Sequence, residues 1–202
     1  MKNTIQNTLT TLHNLVKEKI THIAVKLLIA VLGLALKLAY EKRLTIRGDF
    51  IWKELEGKPV LLVANHASHL DFMILLDVID RRFQRDISFL AKKELWERLL
   101  WRMLMKHGNS IPVDRTHFTV GSMRAIKKVF ANNGLLGMFP EGTRSDGKYM
   151  GLIKPGLEFI IRKYPHITYV PCGLEGFYEA WPKGQRLTWP LPKGHQLNIA
   201  FG

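Results

Sequence analysis

The sequence has only one cysteine, Cys172, among its 202 residues. An intrachain disulfide is therefore excluded, and the cysteine usage gives no indication of an oxidising compartment. Most lone cysteines are inert core residues, and we expect this of Cys172. The chain also lacks internal repeats, low-complexity tracts and obvious linkers, so it should bury its core within one domain.

Acidic residues are scarce, since 17 Asp and Glu stand against 30 Lys and Arg, for a formal net charge of +13. This excess predicts attraction to an anionic partner: nucleic acid, an acidic membrane surface or a phosphorylated substrate. The basic residues are spread along the whole chain, and no recognised nucleic-acid-binding motif is present. We therefore expect no nucleic-acid partner and keep a nucleic-acid-binding module as a remote alternative.

The N-terminal region lacks the run of about 20 apolar residues that a membrane span needs. Apolar residues recur there at helical intervals, but the uncharged run between Lys26 and Lys37 is only ten residues long. Lys19, Lys26 and Lys37 form one basic stripe, which is typical of an amphipathic helix in the membrane interface. A signal peptide and a helix packed on the protein's own core are the alternatives. We assign residues 1–42 to an N-terminal membrane anchor.

From residue 43 onward, short apolar runs alternate with helical patterns. The predicted strands are Leu44–Arg47, Val60–Ala64, Ile87–Ala91, Ser110–Val113, Leu135–Phe139, Thr168–Cys172 and Leu197–Phe201. The predicted helices are Asp71–Phe83, Leu95–His107, Thr119–Asn132 and Pro155–Tyr164. This alternation predicts a single α/β domain over residues 43–202, with a largely parallel or mixed central sheet flanked by helices.

The segment Asn65–Asp71 places two histidines, a serine and an aspartate at a predicted strand-to-helix junction. Polar residues so dense between two apolar runs are costly unless they pair or do chemistry. His66 and Asp71 would point roughly 140° apart on one regular helix, so they can meet only if the backbone turns between them. We expect His66 to act as a base that Asp71 orients.

Three other polar clusters follow predicted strands, where the loops of an α/β sheet usually build a site. They are Ala91–Glu94, Gly108–Arg115 and Phe139–Ser145. Lys92 or Lys93, with Arg115 and Arg144, would place positive charge beside the histidine. This grouping suits a phosphate on the substrate, which the arginine fork can hold with two hydrogen bonds.

A metal site is the alternative for His66, His69 and Asp71. A closed set needs a further His, Asp or Cys ligand, and the remaining histidines show no ligand-like spacing. We expect no metal and keep a metal-dependent hydrolase as a remote alternative.

Together these segments resemble the glycerolipid acyltransferase family related to the bacterial 1-acyl-sn-glycerol-3-phosphate (lysophosphatidic acid) acyltransferase. Asn65-His66 followed after four residues by Asp71 matches that family's first motif, and Gly108–Arg115 is similar to its second. Phe139–Ser145, which reads Phe-Pro-Glu-Gly-Thr-Arg-Ser, matches the third motif, and Val170-Pro171 the fourth. The resemblance runs from about residue 45 to the C-terminus.

The resemblance implies acyl transfer from acyl-CoA or acyl-carrier protein to a lysophospholipid hydroxyl, with 1-acylglycerol-3-phosphate as the expected acceptor and phosphatidic acid as the product. It implies no cofactor. His66 would take the acceptor's proton while Asp71 holds its imidazole. The implied substrate-binding residues are Lys92, Arg115, Glu141, Gly142, Thr143 and Arg144, of which the cations would hold the phosphate and Glu141 and Gly142 the glycerol. An amide near Gly142 or at the His66 turn would stabilise the oxyanion.

The resemblance also implies a monotopic or peripheral protein on an anionic membrane surface, at the cytoplasmic face (of the inner membrane, if the source is bacterial). A relative with a different acceptor, another lysolipid or an amine-linked lipid, is the alternative. Related sequences lead us to expect a Pro-Ile segment and a further helix after the last strand, whereas this chain stops at Gly202. A short family member, a truncated reading frame and a partial sequence are all open explanations.

Overall fold

The computed structural model describes residues 23–24, 27–28, 30–31, 33–97, 99–114, 118–147, 149–185 and 194–202. The chain divides into two compact units, Met1–Leu38 and Ala39–Gly202. The described residues of the first unit are helical, but most of the predicted N-terminal anchor, including Lys19 and Lys26, lies outside the described residues. Among the helices that are described, none is both long and apolar enough to cross a bilayer.

The second unit is built on a seven-stranded sheet. Its strands are β1 (Leu44–Arg47), β2 (Val60–Ala64), β3 (Ile87–Lys92), β4 (Ile111–Val113), β5 (Leu135–Met138), β6 (Thr168–Glu175) and β7 (Leu197–Phe201). They lie in the order β1-β7-β6-β2-β5-β3-β4. Neighbouring strands are parallel except for the antiparallel pair of β6 and β7. The predicted α/β domain with a mixed central sheet flanked by helices is confirmed.

The helices that connect these strands follow the predicted order. They are α1 (Ile51–Glu54), α2 (His69–Phe83), α3 (Leu99–His107), α4 (Val120–Ala131), α5 (Pro155–Lys163) and α6 (Phe177–Ala180). Ser68 and Thr119 cap α2 and α4 by accepting hydrogen bonds from backbone amides of the first turn. Pro155 occupies the first turn of α5, where its fixed φ suits the helix and its missing N–H costs nothing.

Four elements differ from the sequence prediction. The predicted helix Leu95–His107 is interrupted, because Lys93–Glu97 forms a 3₁₀ turn and the α-helix begins only at Leu99. β6 continues past Cys172 to Glu175, since its second half pairs with β7. The short helices α1 and α6 follow turns and carry too few residues to show a helical period.

The core surrounds the central strand β2, whose first three residues are fully buried. β2 lies between β5 and β6 and is covered by helices, so its sequence is apolar on both faces. One buried cluster joins Leu61, Ile111, Ile126, Phe130, Leu136, Met138, Ile160 and Ile167. Each such side chain stabilises the fold by about 1.5–3 kcal/mol through burial.

The strands β2, β3, β4 and β5 run parallel, so their carboxyl ends meet at one edge of the sheet. The polar segments that follow these strands, including Asn65–Asp71 and Phe139–Ser145, therefore lie at this edge. The first and third motifs of the resemblance follow β2 and β5, which are neighbours in the sheet. The fold thus brings together segments that are about seventy residues apart in sequence.

Candidate active site

A cavity of about 710 Å³ opens at the carboxyl edge of the sheet. Its walls are mostly apolar and come from α2, β3, α3, β4, β5, α5 and the segments next to them. The apolar lining residues are Phe72, Met73, Phe89, Leu90, Leu95, Trp101, Leu104, Met105, Val113, Phe118, Met138, Phe139 and Phe159. Its polar lining includes His66, Lys92, Thr143, Arg144 and Lys154. An apolar cavity with a few convergent polar groups is typical of a ligand site.

His66 and Asp71 meet at this cavity. The imidazole Nδ1 of His66 lies 2.9 Å from Oδ2 of Asp71. The backbone turns at the start of α2, between β2 and the carboxylate, which is the geometry that their spacing required. A carboxylate can only accept, so Nδ1 carries the proton and Nε2 is the unprotonated nitrogen. His66 lines the cavity with its side chain 18% exposed, and Nε2 is thus available to take a proton.

The carboxylate of Asp71 is held by backbone as well as by the histidine. Oδ2 accepts hydrogen bonds from the amides of Ala67 and Ser68, at 2.7 and 2.8 Å. Asp71 also lies in the first turn of α2, where the helix dipole favours a negative charge. Its side chain is fully buried. These contacts keep the oxygen an acceptor and fix the direction in which the imidazole points.

The backbone of His66 is bound on both sides by the segment that follows β5. Its amide donates to Oε1 of Glu141 at 2.7 Å, and its carbonyl accepts from the amide of Ser145 at 2.7 Å. The imidazole stacks on the ring of Phe139, with centroids 4.1 Å apart. The first and third motifs therefore form one connected unit in which the position of His66 is fixed by three independent contacts.

The start of the His66 turn is attached to the sheet by Asn65. Its side-chain amide donates to the carbonyl of Leu174 at 2.9 Å, and its Oδ1 accepts from the amide of Leu174 at 2.6 Å. The backbone pairing of β2 with β6 ends at Ala64 and Cys172. The side chain of Asn65 therefore continues the hydrogen bonding between β2 and β6 by one residue. Its own backbone does not have to follow the strand and can turn.

Glu141 is buried, with 2% of its surface exposed, and does not line the cavity. Its Oε1 accepts from His66 and its Oε2 accepts from the amide of Gly151 at 2.7 Å. A Cβ at residue 151 would lie 2.7 Å from this oxygen, so only glycine allows the close approach. The sequence resemblance places Glu141 on the substrate glycerol, whereas in the structure both of its oxygens are bound to backbone amides.

Positive side chains also line the cavity, and the part of the lining that they form is called its cationic end. Arg144, Lys92 and Lys154 all line it. Lys92 is paired with Glu94 at 3.1 Å, while the guanidinium of Arg144 has no hydrogen bond or ion pair with any described residue. Burial lowers the pKa of Arg144 from its usual value, opposed by the charge of Asp71, but an arginine remains a cation. Arg115, the other predicted phosphate ligand, lies outside the described residues.

The turn after β5 presents Gly142, Thr143 and Arg144 to the cavity. Gly142 has a φ of 66°, a left-handed conformation that favours glycine. Lys183 donates to the carbonyl of Arg144 at 3.0 Å and so binds this turn from the loop after α6. The predicted substrate-binding residues of the third motif thus surround the cavity, with the exception of Glu141.

The other polar residues of the first motif have structural surroundings. Ser68 is fully buried, and its hydroxyl accepts from Leu70 N and donates to the Trp181 carbonyl, so it is not placed as a nucleophile. His69 packs between Trp101 and Trp181. Burial, with Arg144 and His66 nearby, lowers the pKa of His69 to about 4, so this imidazole is neutral near neutral pH.

Cys172 is buried next to the site. Burial, with the negative charge of Asp71, raises the pKa of its thiol to about 12. A thiol with so high a pKa supplies almost no thiolate at neutral pH, which fits the inert core role expected from the sequence. Among the described residues, no group of three or more His, Cys, Asp or Glu side chains is placed to hold a metal ion.

The backbone amides expected to stabilise the oxyanion already donate hydrogen bonds to other groups of the protein. Those of His66, Ala67 and Ser68 donate to carboxylates, and that of Gly142 donates to the carbonyl of Phe139 at 3.1 Å. The amides of Thr143 and Arg144 donate to no other described residue, and both residues line the cavity. An oxyanion site at this turn would therefore be one or two residues beyond the expected position.

Sequence reasoning missed several residues at the site. Lys154 lines the cavity because its amide, bonded to the Pro140 carbonyl at 2.8 Å, begins α5 beside the turn. Pro155 marks the helix start in the sequence, but nothing there shows that the preceding lysine lines the cavity. Lys183 and Trp181 lie in an irregular loop after α6, and no periodic pattern in the sequence connects them to the site.

Comparisons with known proteins agree with this geometry. The acyltransferase family model matches residues 43–175. A probable 1-acyl-sn-glycerol-3-phosphate acyltransferase of Mycoplasma pneumoniae is 28% identical over 149 residues, which cover 71% of this chain and 56% of the relative. The 1-acyl-sn-glycerol-3-phosphate acyltransferase of Limnanthes alba is 31% identical over 163 residues, covering 73% of this chain and 55% of the relative.

A third relative carries a different name. The lyso-ornithine lipid O-acyltransferase of Rhizobium meliloti is 31% identical over 102 residues, which cover 50% of this chain and 33% of that protein. The chain therefore spans between a third and just over half of the length of these curated relatives.

The fold is also similar to a solved structure. The crystal structure of the 1-acyl-sn-glycerophosphate (LPA) acyltransferase from Thermotoga maritima aligns with a TM-score of 0.54 and 21% sequence identity. The alignment covers 79% of this chain and 59% of that one. At this identity the likeness concerns the fold alone. Since the family model matches well over half of the chain and spans both His66 and Arg144, the chain belongs to the acyltransferase family.

Proposed function

We propose that this protein moves a fatty acyl group from acyl-CoA or acyl-carrier protein to the free hydroxyl of a lysophospholipid. The observation that carries this proposal is the His66–Asp71 pair, 2.9 Å apart, at the polar end of an apolar cavity in a chain of the acyltransferase family. The apolar walls suit an acyl chain, and the polar end suits the groups that react. The expected acceptor is 1-acylglycerol-3-phosphate, which would give phosphatidic acid.

In the first step, Nε2 of His66 takes the proton of the acceptor hydroxyl as the oxygen attacks the thioester carbonyl of the donor. Asp71 stabilises the imidazolium that forms, because its buried Oδ2 accepts from Nδ1–H. The carbonyl oxygen becomes an oxyanion, for which the amides of Thr143 and Arg144 are the available donors.

In the second step, the tetrahedral intermediate collapses and the C–S bond breaks. The leaving thiolate takes the proton from Nε2 of His66, so the histidine is neutral again and the new ester is complete. The transferred group needs no enzyme nucleophile, which agrees with the buried and hydrogen-bonded hydroxyl of Ser68.

The acceptor's phosphate would bind at the cationic end of the cavity. The guanidinium of Arg144 offers two parallel N–H groups and has no hydrogen bond or ion pair with a described residue, while Lys92 and Lys154 add positive charge to the same cavity. Arg115, carried by the resemblance, belongs to this proposal too. Gly142 and Thr143 would contact the glycerol portion, as they line the same part of the cavity.

Glu141 has a different role in this proposal from the one that the resemblance implied. Since its carboxylate lies between the amides of His66 and Gly151, we assign it as a positioning residue that holds the histidine's backbone. It acts on the reaction through His66 and does not touch the substrate.

The second candidate acceptor is an amine-linked lysolipid. It is favoured by one observation, the likeness to a relative named as a lyso-ornithine lipid O-acyltransferase. The His66–Asp71 chemistry would be the same, because both acceptors present a hydroxyl to acylate. Only the headgroup contacts would differ.

The proposal places the protein on a membrane surface, monotopic or peripheral, at the cytoplasmic face, where both acyl donors are found. Support comes from the net charge of +13, which attracts anionic lipids, and from the N-terminal sequence with its basic stripe.

The test is an assay of the purified full chain with a radiolabelled acyl donor and a panel of lysophospholipids and lyso-ornithine lipid. We expect phosphatidic acid as the main product, and a loss of at least about 10⁴-fold in kcat for His66→Ala. His166→Ala, at an exposed histidine, is the matched control and should keep full activity. Turnover near the wild-type rate in His66→Ala would contradict the mechanism.

A further inference from the structure

An apolar segment, residues 149–153, is exposed next to the cavity. Leu152 is 89% exposed, Tyr149 79% and Ile153 58%, and Met150 is also exposed. Monomeric proteins seldom leave so many large apolar side chains together in water, and such a patch usually marks an interaction site. The described residues around the segment do not cover these side chains.

The segment is fixed at its base even though its side chains are exposed. The Gly151 amide donates to Glu141, and the Lys154 amide donates to the Pro140 carbonyl at 2.8 Å. The apolar side chains are thus presented by a backbone that is bound to the third motif. A surface held in this way loses little conformational freedom when it meets a partner.

The charges around the segment indicate the chemistry of that partner. Residues 149–153 carry no charge, and in the sequence they lie between Lys148 and Lys154. Apolar side chains beside lysines fit the boundary between the acyl chains and the anionic headgroups of a bilayer.

The position of the segment indicates the same partner. The chain passes directly from Ile153 into Lys154, Pro155 and Gly156, which line the cavity. A lipid at the segment would therefore have its headgroup beside Lys154 and its acyl chain beside apolar cavity walls. A bilayer supplies both parts, whereas a second protein surface would close off the cavity.

We propose that residues 149–153 enter the interface of an anionic bilayer and bring the cavity mouth to the lipid surface. The proposal rests on the proposed function in one respect, that the acceptor is a lipid delivered from the membrane. Because Glu141 contacts both Gly151 and His66, the membrane-bound segment and the reacting histidine belong to one rigid unit.

The test follows a fluorophore at the segment. The only native cysteine is buried with a pKa raised to about 12, so a thiol-reactive environment-sensitive dye should label Leu152→Cys selectively in the full chain. With vesicles of phosphatidylcholine and phosphatidylglycerol, we expect a blue shift and strong quenching by lipids that carry a shallow doxyl group. Glu56→Cys, exposed before β2 at the opposite edge of the sheet, is the matched control and should show neither.

A second variant links the segment to turnover. Leu152→Glu with Ile153→Glu should lower activity on vesicle-borne acceptor at least about tenfold by placing charges in the interface, and leave activity on dispersed short-chain acceptor unchanged. Phe50→Glu, at an apolar side chain that is 74% exposed elsewhere, should change neither activity.

The outcomes separate this inference from the proposed function. An unquenched dye at residue 152 on vesicle-bound protein would overturn the inference. A blue shift that appears without vesicles and grows with protein concentration would also overturn it, because it would indicate that a second copy of the chain covers the segment. If the unlabelled wild-type chain acylates no acceptor in either form while the dye is quenched, the proposed function fails and the membrane contact remains.

Discussion

The His66 turn and the cationic end of the cavity differ in how firmly they are held. In the turn, the backbone amide, the backbone carbonyl, the ring face and Nδ1 of His66 each have a partner within the domain. At the cationic end, the guanidinium of Arg144 has no hydrogen bond or ion pair with a described residue, and Lys92 pairs with the neighbouring exposed Glu94. Both regions contribute side chains to the lining of the same cavity.

The proposed mechanism would account for this difference. Proton transfer requires heavy atoms within about 2.6–3.2 Å and tolerates little misplacement, so the base must be fixed before the substrate arrives. A headgroup can be held by long cationic side chains that adjust to it. If the base is fixed and the cationic side chains adjust, members of one family could use the same base with different acceptor headgroups. Relatives named for two different lipids fit this expectation.

The strongest test of the fixed region is Asp71→Asn. The asparagine side chain can no longer keep Nδ1 protonated and Nε2 free, so we expect kcat to fall by about 10³–10⁴-fold. Circular dichroism and the melting temperature should show that the domain still folds. A loss below tenfold in a folded variant would mean that His66 is not oriented by this carboxylate, and the two regions would then be alike.

Glu141→Gln tests whether the turn depends on its buried neighbour. One of the two backbone amides would face an NH₂ group and lose its acceptor, so the turn should loosen and kcat should fall by about 10- to 100-fold with little change in KM. Glu175→Gln is the matched control, because this exposed glutamate on β6 accepts a hydrogen bond from Asn198 and does not line the cavity. A rise in acceptor KM at constant kcat would instead place Glu141 on the substrate.

Substitution of Arg144 should have the smallest of these effects, and it should change the acceptor KM and not kcat. Arg144→Ala removes a charged hydrogen-bond donor from the headgroup, so we expect the acceptor KM to rise about tenfold while the donor KM changes little. Arg144→Lys should fall in between, since it keeps the charge and loses the fork. Arg102→Ala, at an exposed arginine on α3 that does not line the cavity, is the control. A kcat loss as large as that of Asp71→Asn would remove the distinction between the regions.

The sequence predicts the order and type of the main elements because local rules govern them. Apolar runs of four or five residues between turns mark β2 and β5, and Thr119 and Pro155 mark helix starts. The second half of β6 was missed because its partner, β7, is about 25 residues away, and an antiparallel neighbour adds no local pattern. The break before Leu99 was missed because the apolar residues continue through it.

The location of the candidate site was predictable wherever a reactive residue type directly follows a predicted strand. His66, Asp71 and Arg144 are functional residue types placed directly after strands, and parallel strands end at one edge. The position of Glu141 could not be read in this way, because a motif gives a residue's neighbourhood but not the direction of its carboxylate. The contact of Glu141 with Gly151 depends on where the chain returns ten residues later.

Asn65 shows how the sheet determines where the reaction centre lies. By donating to and accepting from the same residue, Leu174, its side chain imitates a strand residue. Aspartate could not donate, and a hydroxyl is too short to span both groups, so only an amide of this length makes both hydrogen bonds. The direction of the backbone is thereby set one residue before His66. The hydrogen bonds of the sheet thus determine the position of the imidazole.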